Sequence, residues 1–293
     1  MENDTLIKDF NELKNKYEGL FLLKNENKII GRISFLDNIS GLLCEYDIEI
    51  LIPKKYPNKI PTVKEISQRI PHTFHTNGDG TLCLGSNLDV LHKFSKKPTL
   101  LGYVEYLVEP YLFAHTYFNK YGKMPFGELN HGANGVLQYY SSLFEVNDYE
   151  MVMKILHFLC KYGFRGHHKC CCGSEKKFRD CHGYIIKNKG INIKRFRETI
   201  IKDYFLCLSI APHKCPELGN VSNMVLSTLG KMRISELFDC NISKDEKILV
   251  FNTILKMLSE TEAKSTGRKK QYLKMLIYSI NDKCNVLKSN LIN

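Results

Sequence analysis

The chain has 293 residues, of which 43% are hydrophobic and 25% are charged, enough to bury the core of two domains or of one domain with an appendage. It opens on MENDTLIKDF, without a charged-then-apolar leader, and it contains no apolar run long enough to span a membrane. These features exclude a membrane protein and predict a soluble, cytoplasmic one. Because cytoplasmic thiols stay reduced, the eleven cysteines indicate metal binding or thiol chemistry rather than disulfides.

The net charge of +11 is unevenly distributed along the chain. Residues 1–150 hold 16 Lys and Arg against 19 Asp and Glu, a balance of −3, whereas residues 151–293 hold 26 against 12, a balance of +14. This change of composition near residue 150 is the clearest sign of a domain boundary. The basic half predicts an acidic partner, either nucleic acid or protein, although lysines that only solvate helix surfaces would produce the same excess.

Residue spacing predicts a helix followed by a meander of strands at the start of the chain. Leu6, Phe10 and Leu13 recur at helical spacing, so residues 4–17 form the opening helix. In the strand-like runs that follow, apolar residues alternate with polar ones, and turn-forming Asn, Ser and Gly separate the runs. The predicted strands are residues 19–24, 28–35, 44–52 and 62–66.

The stretch from residue 56 to residue 83 combines a proline-braced crossing, a short strand and a turn that ends at a cysteine. Tyr56-Pro57 and Pro61 fix backbone angles and remove two amide donors, which predicts a rigid, extended segment. The run NGDG at residues 77–80 is a dense turn signal, and it reverses the chain just before Cys83.

This ordered string resembles the ubiquitin-conjugating enzyme family. The family pattern is a Tyr-Pro turn, a strand, a His-Pro-Asn triplet, and then Asp/Gly before a catalytic cysteine. The triplet corresponds to His75-Thr76-Asn77, and the cysteine corresponds to Cys83. Thr76 replaces the triplet proline, and the span from Asn77 to Cys83 is shorter than in the eukaryotic enzymes. Both departures fit the divergent bacterial branch of the family, and the resemblance covers roughly residues 1–145.

The resemblance implies a role for each of these residues. Cys83 attacks an activated carboxyl terminus and holds it as a thioester, Asn77 donates a hydrogen bond to the oxyanion, and His75 supports the loop structurally. The short spacing leaves the oxyanion role of Asn77 open. Two alternative roles for Cys83 also stay open: a buried core cysteine, or the nucleophile of a protease-type dyad with His72 or His92.

Beyond the cysteine, the pattern turns helical. From residue 99 onwards, apolar residues recur at intervals of three and four residues, which predicts a helix. Thr99 is a candidate N-cap, and Pro110 interrupts this helix or opens the next one. An aromatic stripe over residues 111–121 indicates packing on the sheet, and the glycine-rich loop over residues 122–135 predicts an active or partner surface. Further helices are predicted at residues 136–160, 193–208, 221–238, 247–260 and 270–287.

Residues 170–183, CCCGSEKKFRDCHG, form a second specific signal. Two close thiols on a tight Gly-Ser turn, together with the adjacent Cys and His near the end of the run, can complete a tetrahedral coordination shell around a metal ion. The run resembles the SEC-C motif, a small zinc-binding knuckle. That resemblance implies a structural Zn²⁺ on four ligands, Cys170, Cys172, Cys181 and His182. Cys171 stands where the motif usually has proline, so Cys171, His167 and His168 remain competing ligands.

Together these features predict an α+β chain. A ubiquitin-conjugating-type domain, with an N-terminal helix, an antiparallel meander sheet and C-terminal helices, spans residues 1–145. A helical linker (146–165), the zinc knuckle (166–186) and a basic, all-helical extension (187–293) follow.

The resemblance implies a transferase that carries the C-terminus of a protein partner on Cys83 and passes it to an amine. Bacterial relatives of this kind occur in anti-phage defence operons, including CBASS systems. The expected partner is therefore a cGAS-like nucleotidyltransferase or a ubiquitin-like protein, together with a separate activating enzyme. Two alternatives belong to other classes: a catalytically silent adaptor that binds a partner's C-terminal tail, and a zinc-dependent nucleic-acid-binding protein.

Overall fold

The computed structural model describes residues 2–127, 130–208 and 244–289, and the chain divides into two compact units, Met1–Glu128 and Leu129–Asn293. The first unit holds a four-stranded antiparallel sheet with helices, and the described part of the second unit consists of helices and a non-helical segment over residues 163–177 that contains one antiparallel bridge. The α+β class predicted from the sequence is therefore confirmed. None of the described helices carries an apolar stretch long enough to cross a membrane.

The first unit begins with a helix and a meander of four strands. Helix α1 is Glu2–Lys16, and the strands are β1, Leu20–Leu23; β2, Lys28–Asp37; β3, Leu42–Leu51; and β4, Thr62–Glu65. Each strand pairs antiparallel with the next, in the order β1-β2-β3-β4. Asn27 and Gly41, in the first two turns, have the left-handed backbone that such turns need, with φ of 49° and 68°. All four strands match their predicted positions closely.

Strand β3 shows how the core of the first unit is built. Tyr46 and Ile48 point inward and are at most 3% exposed, whereas Glu45, one position before Tyr46, points outward. Leu13 of α1 and Tyr17, just after its end, belong to the same buried cluster. Burying an aliphatic side chain of this size stabilises a fold by about 1.5–3 kcal/mol, so this face holds helix and sheet together.

A helical run that packs against β3 completes the first unit. Helix α2 is Asn87–Lys96, and the run that follows comprises α3, Leu100–Tyr103; a π-helical segment, Val104–Val108; and α4, Glu109–Tyr121. The Thr99 side chain accepts a hydrogen bond from the Gly102 N–H at 3.1 Å, so the predicted cap is confirmed. Pro110 lies in the first turn of α4. Because a proline ring clashes with the carbonyl four residues earlier, the wider π turn just before Pro110 allows the helix to continue.

The described part of the second unit is built from helices. They are α5, Gly132–Phe144; α6, Tyr149–Tyr162; α7, His182–Asn188; α8, Arg197–Leu208; and two C-terminal helices, Lys244–Ala263 and Gly267–Ser289. Helices α5, α6 and α8 pack on one another around buried aromatic residues such as Tyr140 and Tyr204. Helix α5 therefore lies in the second unit, whereas the sequence resemblance extends the first domain to residue 145. The helix predicted over residues 221–238 lies outside the described residues.

The alternation along β3 predicts different costs for two truncations. Ile48→Ala removes a fully buried side chain and leaves a cavity, so we expect it to lower the free energy of unfolding by about 2–5 kcal/mol. Leu43→Ala, on the same strand, removes a side chain that is 55% exposed, and we expect a change of about 0.5 kcal/mol or less. Chemical denaturation of the full chain measures both, and equal effects would contradict this strand register.

Candidate functional site

Cys83 lies on a short hairpin between β4 and α2. The Cys83 N–H donates to the His75 carbonyl oxygen at 2.7 Å, and the Asn77 N–H donates to the Thr81 carbonyl oxygen at 2.8 Å. Between these two hydrogen bonds, the intervening residues of the two arms form an antiparallel bridge. The hairpin therefore brings together His75, Asn77 and Cys83, with His75 directly across from Cys83.

The hairpin is attached to the sheet and to α4 by hydrogen bonds. The Leu82 N–H donates to the Val63 carbonyl oxygen of β4 at 2.8 Å, and the Leu82 side chain is only 5% exposed. From α4, the Tyr111 hydroxyl donates to the Phe74 carbonyl oxygen at 2.8 Å and lies 3.3 Å from the His75 carbonyl oxygen. The aromatic stripe in the sequence indicated core packing for Tyr111. Its second role, binding the hairpin backbone through its hydroxyl, carried no sequence signal.

The Cys83 thiol is partly buried and is not sealed in the core. Burial raises the pKa of Cys83 above its ordinary value, and the Gly85 N–H, which donates towards the sulfur, offsets part of that rise. By contrast, Cys44 and Cys207 are completely buried. Because the raised pKa keeps the Cys83 thiol neutral at pH 7, attack on a substrate needs a step that removes its proton.

The Asn77 side chain is engaged within its own turn. Its Nδ2 donates to the Thr81 Oγ1 at 3.0 Å, and Thr81 Oγ1 donates in turn to Asp79 Oδ1 at 2.6 Å. His75, which precedes the turn, has a left-handed backbone with φ of 40°. Such a conformation is uncommon for a residue with a side chain and is often found at functional loops. The second N–H of the Asn77 amide is available to an oxyanion, and an oxyanion role requires the turn to aim it at the substrate.

Helix α2 begins just after Cys83 and carries two further ionisable side chains. Asp89, in its first turn, pairs with Lys93 at 2.8 Å. His92, one of the two histidines considered for a dyad, lies on this helix, where burial lowers its pKa. His72, the other one, is exposed in the loop before the hairpin. The hydrogen bonds of Cys83 described above go to the hairpin backbone and to Gly85.

The four predicted metal ligands converge in the second unit. One ligand atom from each of Cys170, Cys172, Cys181 and His182 lies within 4.8 Å of the others. The Cys172 and Cys181 sulfur atoms are 3.6 Å apart, and His182 Nδ1 is 3.2 Å from the Cys170 sulfur and 3.5 Å from the Cys181 sulfur. Tetrahedral zinc with thiolate and imidazole ligands needs ligand–ligand edges of about 3.5–3.8 Å. The donor set is therefore compatible with one tetrahedral ion held by four protein ligands.

Backbone pairing and one buried ring form the scaffold of this knuckle. The Cys170 N–H donates to the Lys176 carbonyl oxygen at 2.8 Å, and the Phe178 N–H donates to the His168 carbonyl oxygen at 2.7 Å. The Phe178 side chain is fully buried, and its ring centroid lies 4.4 Å from that of Phe158 on α6. The knuckle is thus anchored to α6 through Phe178.

Local hydrogen bonds and burial determine the pKa values of the candidate metal ligands. Burial opposes ionisation of Cys172, but hydrogen bonds from the hydroxyl and the N–H of Ser174 outweigh it and lower the pKa of Cys172 to about 7. Burial raises the pKa of Cys170 to about 11. Burial lowers the pKa of His182, so its imidazole is neutral at pH 7, as metal ligation requires.

The competing ligands lie outside the cluster. Cys171 contributes no atom to it, and burial raises the pKa of the Cys171 thiol to about 12. The His168 ring packs edge-on against the Tyr162 ring, with centroids 4.8 Å apart, and the His167 ring lies 4.6 Å from that of His168. The geometry therefore favours the ligand set taken from the motif resemblance.

Comparisons with protein-family models, with curated proteins and with solved structures gave no match for this chain. The chemistry of the two sites is therefore inferred from their own geometry and from the sequence resemblances. The hairpin offers a partly accessible thiol next to hydrogen-bond donors, and the knuckle offers three thiols and an imidazole that fit a metal ion.

The ligand set predicts that neighbouring cysteines differ in their effect on metal binding. We expect the wild-type chain to hold one Zn²⁺, Cys172→Ser to lose it on dialysis against a chelator, and Cys171→Ser to keep it. Elemental mass spectrometry gives the metal content, and titration with Co²⁺ reports tetrahedral thiolate ligation by its absorption bands. Loss of metal in Cys171→Ser together with retention in Cys172→Ser would show that Cys171, and not Cys172, is the ligand.

The burial of Cys83 predicts slow alkylation near neutral pH. Because its pKa is raised, we expect iodoacetamide to modify Cys83 more slowly at pH 7 than a free cysteine, with a rate that keeps rising above pH 9. Cys44, which is completely buried, serves as the internal control and should stay unmodified in the folded chain. Peptide mapping by mass spectrometry follows both thiols. A Cys83 rate that is already maximal at pH 7 would contradict this environment.

Proposed function

We propose that this chain is a ubiquitin-conjugating-type acyl transferase that carries the C-terminus of a protein partner as a thioester on Cys83. The observation that supports it is the hairpin, which follows a helix and a four-stranded antiparallel meander and holds Cys83 partly accessible across from His75. This order of elements is the one that the family resemblance implies. It supports a conjugating-type fold for the first unit.

The first step of the proposed reaction loads Cys83. Its sulfur attacks the carbonyl carbon of an activated C-terminus, which is an acyl adenylate or a thioester supplied by a separate activating enzyme. The carbon–sulfur bond forms, the phosphate or thiolate leaving group departs with its electron pair, and the thiol proton passes to the donor enzyme or to water. The raised pKa of Cys83 keeps the thiol unreactive until such a donor docks.

The second step transfers the acyl group to an amine. The nitrogen attacks the thioester carbonyl, a tetrahedral oxyanion forms, and its collapse breaks the carbon–sulfur bond and returns Cys83 as a thiolate that takes up the amine proton. Two donors of this loop are candidates to stabilise the oxyanion. The Gly85 N–H already donates towards the sulfur, and the Asn77 amide has a second N–H beyond the one that it gives to Thr81.

The sequence resemblance extends the proposal to a biological setting. The partner is then a cGAS-like nucleotidyltransferase of a CBASS-type operon or a ubiquitin-like protein, and the reaction serves anti-phage defence in the bacterial cytoplasm. Zn²⁺ in the knuckle has a structural role. The competing proposal, a silent adaptor for a C-terminal tail, uses the same hairpin without a covalent bond, and the partly accessible Cys83 thiol favours the transferase.

A gel assay tests the carrier role of Cys83. The chain is mixed with the candidate partner, its activating enzyme and ATP, and a non-reducing gel should show an adduct that a reducing agent removes. We expect no adduct with Cys83→Ala. With Cys83→Ser we expect an ester adduct that resists thiols but is cleaved by alkali, since oxygen replaces sulfur in the same bond.

Two further variants complete the test. Cys171→Ala removes a thiol outside the hairpin and should form the adduct at the wild-type rate. Asn77→Ala should load normally but pass the acyl group to a lysine about 10²–10³-fold more slowly if its amide binds the oxyanion. An unchanged transfer rate would exclude Asn77 from that role. An adduct that persists in Cys83→Ala would rule out the proposal, and tail binding without any adduct would establish the adaptor.

A further inference from the structure

We propose that residues 161–197, which include the knuckle, form a binding surface for single-stranded nucleic acid. The surface is distinct from the Cys83 hairpin, and the proposal does not depend on thioester chemistry. It combines a concentration of positive charge, an unfavourable pair of facing lysines, and exposed aromatic rings within one short segment.

Most of the excess positive charge of the chain lies in this segment. Residues 161–197 contain eleven Lys and Arg but two acidic residues, a net charge of +9 within a chain of +11. Both acidic residues are already paired, Glu175 with Lys169 and Asp180 with Arg179. A zinc ion on three thiolates and a neutral imidazole has a net charge near −1, so metal binding leaves almost all of the excess in place.

The backbone of the knuckle brings two lysines together. Lys169 and Lys177 occupy directly opposite positions of an antiparallel bridge, where side chains start about 5 Å apart and like charges destabilise the pairing. Glu175 neutralises Lys169. Lys177 and the adjacent Lys176 are both exposed, and neither has an acidic partner among the described residues. Lys176 and Lys177 therefore offer two ammonium groups for contact with phosphate groups.

Exposed aromatic rings in the same segment indicate that the anion carries bases. Tyr162, Phe164 and Tyr184 are 37%, 40% and 57% exposed. The Lys161 ammonium lies 4.8 Å from the centroid of the Tyr162 ring, so a cation and a flat apolar face adjoin one another. Alternating cations and aromatic faces are the features by which proteins bind single strands, whose bases are free to stack. A purely acidic protein segment would engage the lysines and leave the aromatic faces uncovered, whereas a single strand engages both.

Fluorescence anisotropy with the zinc-loaded full chain and a labelled oligothymidine of about 20 nucleotides tests the proposal. We expect binding whose affinity falls steeply with salt. Lys176→Gln with Lys177→Gln should weaken it about 25-fold at 0.1 M salt and reduce the slope of log affinity against log salt by about 1.4, the effect of two lost phosphate contacts on a single strand. Tyr184→Ala should weaken it about tenfold through lost stacking.

A matched control distinguishes binding at this surface from a general effect of positive charge on the chain. Lys54→Gln with Lys55→Gln removes two consecutive exposed lysines of the first unit, and it should leave the affinity within about twofold of wild type. Circular dichroism and zinc content confirm that each variant is folded. The proposal fails if the wild-type chain does not bind the oligonucleotide at about 50 mM salt, or if both lysine pairs have the same effect. It also fails if polyglutamate binds as tightly as the oligonucleotide and Tyr184→Ala changes neither affinity.

Discussion

The hydrogen bond from the Leu82 N–H to the Val63 carbonyl oxygen joins the hairpin to the sheet, and the position of Cys83 depends on it. This bond and the burial of the Leu82 side chain fix which residues of the arm face the core. Because side chains alternate along an extended strand, a slip of one residue would exchange Leu82 and Cys83 and bury the thiol. The apolar residue before the thiol thus determines its accessibility, and the Tyr111 hydroxyl fixes the opposite arm.

The two candidate sites are held in place by different physical means. The hairpin rests on a large apolar core, so its geometry is supported by the sheet and by α4 whether or not a ligand is bound. Within residues 170–181, by contrast, Cys170 and Phe178 are the buried side chains. So small a core does not offset the conformational entropy of ordering the loop, and a bound metal ion would supply the difference. Loss of that metal would then be a local event in the knuckle.

Local features of the sequence were sufficient to predict much of the structure. Strand alternation predicted the meander, because one buried face leaves a period-two pattern. The four residues of the candidate metal cluster were predictable because they lie within 13 residues of one another. The short apolar run over residues 88–94 suits a strand or a helix equally, so the sequence does not predict helix α2. The π turn before Pro110 and the Tyr111 bond to the hairpin depend on packing between distant segments, and spacing along the chain does not encode them.

The environments of Cys83 and Asn77 fit a resting state of the transferase that we propose. The thiol is kept neutral by burial, and the amide that the family resemblance assigns to the oxyanion is bound to Thr81 through one of its two N–H groups. In the proposed carrier, burial would limit the access of water to the thioester, and the Thr81 bond would hold the amide within its own turn. A docked acceptor that excludes water and moves the turn would bring the second N–H to the thioester at the moment of transfer. Hydrolysis would then stay slow, and the choice of acceptor would depend on the partner surface that rearranges the turn.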